Sequence, residues 1–194
     1  MMERMGALGE IDGNSLAPTL LISMPQLIDP NFKKSVVLLC DHTPDGAFGL
    51  VINRPTDTLV SQVVRLDPPL RNDNGLKLWL GGPVELERGW ILLNQPPDEP
   101  GYLQVGDHLF VSTSMDLLRR LVESDAPPSR ARLLTGYAGW GPGQLDHELS
   151  ESAWLTLDVD PDLLFDTPPA LLWEAAIRRL GADPSALQTS HGVH

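Results

Sequence analysis

Short apolar runs alternate along this chain with clusters of Pro, Gly, Asn and Asp, and their order predicts the secondary structure. Leu20 to Ser23 opens the first strand. Ser35 to Asp41 and Ala47 to Asn53 are β-branched apolar runs separated by Thr43-Pro44-Asp45-Gly46. Proline presets φ in that turn and glycine accepts φ > 0, so the two runs predict a hairpin. Thr58 is placed to cap a short helix reaching Arg65, with Leu59, Val60, Val63 and Val64 as its apolar positions. A polar loop from Asp67 to Gly75 leads to a strand from Leu76 to Leu80, which ends at Gly81-Gly82-Pro83.

Trp90 to Leu93 is the next strand. The prolines of the segment 94–101 exclude a sheet interior there, because they remove ladder donors. Tyr102 to Val105 and His108 to Ser112 flank Gly106-Asp107 as a second hairpin. Thr113 with Asp116 resembles a capping box, which starts a helix running to about Ser124 with Met115, Leu118 and Val122 on one face. Arg132 to Tyr137 and Ala153 to Asp158 are further strands. Between them Gly141-Pro142-Gly143-Gln144 opens a short helix. Thr167-Pro168 begins the last helix, with a Leu172, Ala176, Leu180 stripe and Gly181 as its stop.

Tight turns between successive strands imply antiparallel neighbours. Helices and strands intersperse without a strict βαβ rhythm. The fold class is therefore α+β (mixed α/β), a mainly antiparallel sheet flanked by helices, rather than a doubly wound one. With 194 residues, 42% of them apolar, the chain has enough material for one core. Residues 1–15 are polar and aperiodic and read as a flexible leader, with residues 16–194 as one domain.

Charge narrows the function classes. Twenty-six acidic against 14 basic residues give a net charge of −12, which repels phosphate backbones and anionic membranes. The basic doublets Lys33–Lys34, Arg119–Arg120 and Arg178–Arg179 are too small to overcome that field, so direct nucleic-acid binding is disfavoured. Cys40 is the single cysteine, which excludes an intrachain disulfide and a cysteine-cluster metal site and fits a reducing compartment. No apolar run is long enough for a secretion signal or a membrane span, so the expected location is the cytoplasm.

Four segments stand out together. They are Met24-Pro25-Gln26-Leu27-Ile28-Asp29-Pro30-Asn31-Phe32 with Ser35-Val36-Val37; Asp45-Gly46-Ala47-Phe48-Gly49-Leu50-Val51-Ile52-Asn53-Arg54-Pro55; Gly81-Gly82-Pro83-Val84; and Gly136-Tyr137-Ala138-Gly139-Trp140-Gly141-Pro142-Gly143-Gln144-Leu145. In order and spacing they resemble the AlgH/YqgE-like family of uncharacterised bacterial proteins. The resemblance implies a compact single domain with a partly closed, barrel-like sheet, and no established reaction. Members often carry Leu-His after the strand that follows Gly-Gly-Pro-Val. Here Leu93-Asn94 stands in that place, so no role for that histidine carries over.

The fourth segment is the first candidate site. Read as an exposed glycine loop, it offers free N–H groups at a helix start for an anion, Tyr137 and Trp140 as walls for a flat ligand, and Gly141 and Gln144 as polar contacts. The bland alternative makes the glycines turn formers, Trp140 a core plug and Gln144 a cap. Asn53 and Arg54 end a strand, where Arg54 suits a carboxylate or phosphate. His42, His147 and Glu148 are the weak catalytic candidates. Adjacent helix residues diverge by about 100°, so Asp146, His147 and Glu148 make no metal triad alone, and strand alternation sets Asp41 and His42 on opposite faces.

No Gly-x-Ser-x-Gly elbow, Walker motif or His-Glu-x-x-His is present. Neither a cofactor nor a metal is expected. The leading expectation is a non-enzymatic regulatory domain that binds a small anionic ligand or a protein partner. The alternatives are a hydrolase-type enzyme using His42 or His147 with a carboxylate, and a transcriptional regulator acting indirectly or through DNA.

Overall fold

Continuous rather than alternating apolar runs build the central sheet, because both of its faces are covered. In the computed structural model, which describes residues 15–189, β1 (Thr19–Ser23), β2 (Val36–Thr43), β3 (Gly46–Val51), β9 (Ala131–Trp140) and β6 (Val84–Leu93) lie side by side. β10 (Trp154–Leu157) flanks β1; β8 (Leu109–Ser112) and then β7 (Leu103–Val105) flank β6. β5 (Lys77–Leu80) pairs with β9 in parallel and carries β4 (Pro55–Leu59) on its other edge. Every other pairing is antiparallel. The sheet curls into a half-barrel, which matches the expected α+β class and single domain.

Successive residues of one strand feed different cores. Leu20, Ile22, Val36, Leu38, Trp90, Leu92 and Leu134 face a cluster completed by α4 (Pro161–Asp166) and α5 (Pro169–Arg179) through Leu164, Leu172, Trp173, Ala176 and Ile177. On the opposite face, Ile91, Leu93 and Leu133 pack against Leu117, Leu118 and Val122 of α2 (Met115–Glu123). Leu21, Val37, Leu39 and Trp140 pack against Leu145 of α3 (Gln144–Ser150). Burial of a sheet on both sides explains why these strands read as unbroken hydrophobic segments.

The predicted hairpin forms as expected, with Thr43 opposite Gly46. A bulge between Leu39 and Asp41 adds one residue, after which Asp41 points to solvent and His42 inward. Several boundaries differ from expectation. Residues 55–59 are drawn into pairing with β5, so Thr58 lies in a strand and the helix shrinks to α1 (Val60–Val63). The cap of α2 is Ser114, whose Oγ accepts from the Leu117 N–H, so Met115 faces outward and Leu117 takes the buried position. Leu180 ends half-exposed, and Trp173 and Ile177 fill the stripe with Leu172 and Ala176. Two helices escaped the reading: α4, and α6 (Pro184–Thr189). Apart from Ser15, the expected leader falls outside the described residues, as does the end of the domain from residue 190.

Candidate functional site

The largest correction concerns the fourth family segment. Pairing with β6 and β3 carries β9 straight through Tyr137 to Trp140, so the expected exposed loop is mostly strand. Three residues apart on a strand, Tyr137 and Trp140 point to opposite faces and cannot wall one groove. Tyr137 packs against Phe48 and Trp90, at ring-centroid distances of 5.3 and 6.0 Å. Burial, aided by Glu85 and opposed by Arg88, raises its phenol pKa. Trp140 is 7% exposed and stands edge-on to Trp154, with Phe32 against both.

Glu148 holds this aromatic cluster together. Its Oε2 accepts the indole N–H groups of Trp140 (2.9 Å) and Trp154 (2.8 Å), and its Oε1 accepts from the Gln144 amide (2.9 Å). Gln144 in turn accepts the Gly141 N–H through Oε1 (3.0 Å). A carboxylate committed to three donors is a structural tie, and Gln144 serves as the cap of the bland reading. Glycine is required where β9 crosses the turn before β6. A Cβ on Gly136 (φ +69°) would stand 2.3 Å from the Gly82 carbonyl oxygen.

Of the two candidate histidines, His42 is likewise committed within the fold. His42, 7% exposed, accepts the Leu16 N–H at Nδ1 (3.2 Å), which puts the ring proton on Nε2 facing Asp146 Oδ2 (3.4 Å). Asp146 is the carboxylate partner that Asp41 could not be. With both ring nitrogens engaged, no lone pair is free to take a substrate proton. His147 lies on the exposed face of α3 beside Glu151 (3.5 Å). No group of three metal-binding side chains occurs among the described residues.

Asn53 and Arg54 clasp the loop that contains the first family segment. Asn53 accepts from the Val36 N–H (3.0 Å) and donates to the Lys34 carbonyl (2.9 Å), and Arg54 donates to the carbonyls of Pro30 and Lys33. Partial burial lowers the Arg54 pKa, with Asp29 opposing. From the other side, Gln26 donates to the Ser152 carbonyl (2.8 Å). Several residues carrying the family resemblance thus meet across the segments, as Asn53 does with Val36 and Arg54 with Pro30.

Arg132, which the sequence reading passed over, behaves differently. It sits in β9 at 5% exposure. Nη1 donates to the Ile52 carbonyl (2.6 Å) and Nη2 to the Leu164 carbonyl (2.7 Å). The guanidinium carbon lies 4.1 Å from the Trp79 ring centre and 5.3 Å from that of Phe165. Burial pulls its pKa down to about 10, with no carboxylate opposing that shift. A guanidinium has five donors, and only two are used here. The side chain lines a cleft of about 470 Å³ between the β5–β9 edge and the segments 127–129 and 165–169. A larger depression of about 680 Å³ borders the loop 64–73, but none of its lining residues is buried.

Comparison with known proteins adds the family. The AlgH-like family model matches residues 20–185. A UPF0301 protein of Magnetococcus marinus is 43% identical over 92% of this chain and 96% of its own length, and one of Ruegeria pomeroyi is 42% identical over 91% and 98%. The solution structure of the AlgH protein from Pseudomonas aeruginosa superposes with a TM-score of 0.74 at 38% identity, covering 96% of this chain and 100% of that one. A crystal structure from Corynebacterium diphtheriae, 20% identical with a TM-score of 0.66 over 91% of this chain and 92% of its own, shares the fold. With the model spanning nearly all of the described residues and full-length relatives above 40% identity, the chain belongs to the AlgH-like family.

Proposed function

We propose that this chain is a non-catalytic domain that binds a small anionic ligand in the Arg132 cleft. The observation that carries the reading is a buried guanidinium with no carboxylate partner among the described residues and with unused donors, placed on the wall of a cleft. Burying a cation without a counter-charge is costly, and the two carbonyls and two aromatic faces offset only part of that cost. A bound anion supplies the remainder. Its size suits the site, since small-molecule clefts run from about 300 to 1,000 Å³. The ligand would touch β5, β9 and the α4–α5 connection at once, which gives occupancy a route to the surface that those elements present to a partner.

A thermal-denaturation series with simple carboxylate, phosphate and sulfate salts at constant ionic strength tests this. Saturation at a hundredfold excess over Kd adds about 2.7 kcal/mol to the native state, which is a rise of roughly 5–10 °C for a chain of this size. Arg132→Lys should remove the rise, because an ammonium cannot reach both carbonyls and the ligand together. If no anion stabilises the wild type, the reading fails and a protein-binding role takes its place.

A further inference from the structure

The identity of the ligand can be narrowed, on the premise that the Arg132 cleft is a binding site. We infer that it takes a monoanionic carboxylate carried on a flat, apolar body, and that it discriminates against phosphate and polyphosphate esters.

Charge supplies the first argument. Of the charged side chains lining the cleft, Lys77 is paired with Asp57 (3.2 Å), and Asp166 is paired with Arg130. Arg130 also holds Asp162 (2.8 Å), so that rim group carries two carboxylates for one guanidinium. Arg132 is the lining cation left without an acid. A phosphate monoester would bring close to two negative charges against that single positive charge, beside Asp166, on a chain of net charge −12. A carboxylate is neutralised one to one.

Donor supply is the second argument. Phosphate sites are normally cradled by consecutive backbone N–H groups at a helix start or in a glycine-rich nest. Four of the residues lining this cleft are prolines, Pro127, Pro128, Pro168 and Pro169, and a proline has no N–H to give. The hydroxyls of Ser129 and Thr167 are the nearby supplements. Three guanidinium donors remain beyond the two carbonyl bonds, enough for the two oxygens of a carboxylate, whereas the four oxygens of a phosphate monoester outnumber them and the prolines add no backbone N–H.

Wall chemistry is the third. Trp79 and Phe165 flank the guanidinium, and with the four proline rings they give the cleft an apolar lining suited to a planar hydrocarbon.

The test is a titration of the full chain, followed by amide and indole N–H resonances in NMR, with four probes. These are benzoate; benzamide, which has the same body without the charge; inorganic phosphate; and ATP. Benzoate should shift the Trp79 indole N–H and the Ser129 and Thr167 amides saturably. Benzamide should bind at least tenfold more weakly, and phosphate and ATP should leave those resonances in place. Arg132→Lys should abolish the benzoate shifts. Should that variant not fold, the benzoate–benzamide comparison on the wild type carries the test. If phosphate or ATP saturates these resonances and benzoate does not, the carboxylate inference is overturned while the anion site stands. If benzamide matches benzoate, or no probe moves them, both the inference and the anion site are overturned.

Discussion

Removing the Glu148 carboxylate is the sharpest test of the claim that the fourth family segment serves the fold. In Glu148→Ala the indole N–H groups of Trp140 and Trp154, on residues 7% and 4% exposed, lose their common acceptor. A buried donor left unsatisfied costs about 1–3 kcal/mol. Glu148 itself is partly exposed, so water recovers some of the loss, and the expected cost for the pair is about 3 kcal/mol. By the size scaling of unfolding entropy this lowers the midpoint by roughly 6–12 °C. Urea denaturation followed by tryptophan fluorescence measures it directly. A double-mutant cycle isolates the bond: with Trp154→Phe already in place, Glu148→Ala should cost at least about 1 kcal/mol less, because one of the two donors is gone. Glu148→Gln keeps an oxygen acceptor and should fall between wild type and alanine. A cost for Glu148→Ala below about 1 kcal/mol, with no coupling to Trp154, would refute the reasoning and leave the carboxylate free for chemistry.

Three further outcomes are expected. Gly136→Ala should cost about 3 kcal/mol or more, because it adds a clash with the Gly82 carbonyl to left-handed strain; Gly143→Ala, at nearly the same φ (+68°) with nothing within 4 Å, should cost only about 1–2 kcal/mol, and parallel urea melts compare them. Hydrogen bonds from Ser114 and Arg120 hold the Glu99 carboxyl below its ordinary range. A depressed carboxyl stabilises the fold above its unfolded pKa, and that stability is lost as pH falls through its folded pKa. Glu99→Gln should therefore flatten the acid side of the stability–pH profile and leave its slope near neutrality unchanged. Burial, reinforced by Asp41, pushes the Cys40 thiol up, so a disulfide reagent at pH 8 should label it only after denaturant is added, and fast labelling of native protein would contradict its placement in the core.

The strands were legible because they announce themselves locally. The Pro44-Asp45 turn and the β-branched runs beside it define the hairpin without outside help. Two helices carried an equally local signal that went unused. Asp160-Pro161 and Asp183-Pro184 each set an aspartate before a first-turn proline, and each aspartate accepts backbone N–H groups of the helix it precedes. Trp140 misled for a non-local reason. Its glycine neighbours suggest a loop, but pairing with Ala47 holds the segment extended. Thr58 failed in the same way, since the partner that draws its segment into a strand lies in β5. Arg132 had one visible mark, a lone charge inside the run Ala131 to Leu134. What makes that mark meaningful is distant: its carbonyl acceptors lie 80 and 32 residues away in the chain.

The distinctive motif and the proposed anion site are separate things in this molecule, and hydrogen-bond accounting separates them. Gly136 and Gly82 let two backbones touch, Glu148 joins two indoles and an amide, Asn53 ties Val36 to Lys34, and His42 bridges Leu16 and Asp146. Each of these groups is engaged within the fold, which accounts for a recognisable sequence pattern without invoking a ligand. A binding residue has to keep capacity in reserve, as Arg132 does with its unused donors. The reserve is costly, since burial lowers the Arg132 pKa to about 10 with no carboxylate to oppose it. On this logic the anion should stabilise the chain more than an exposed arginine site would, because binding relieves a buried cation as well as adding contacts.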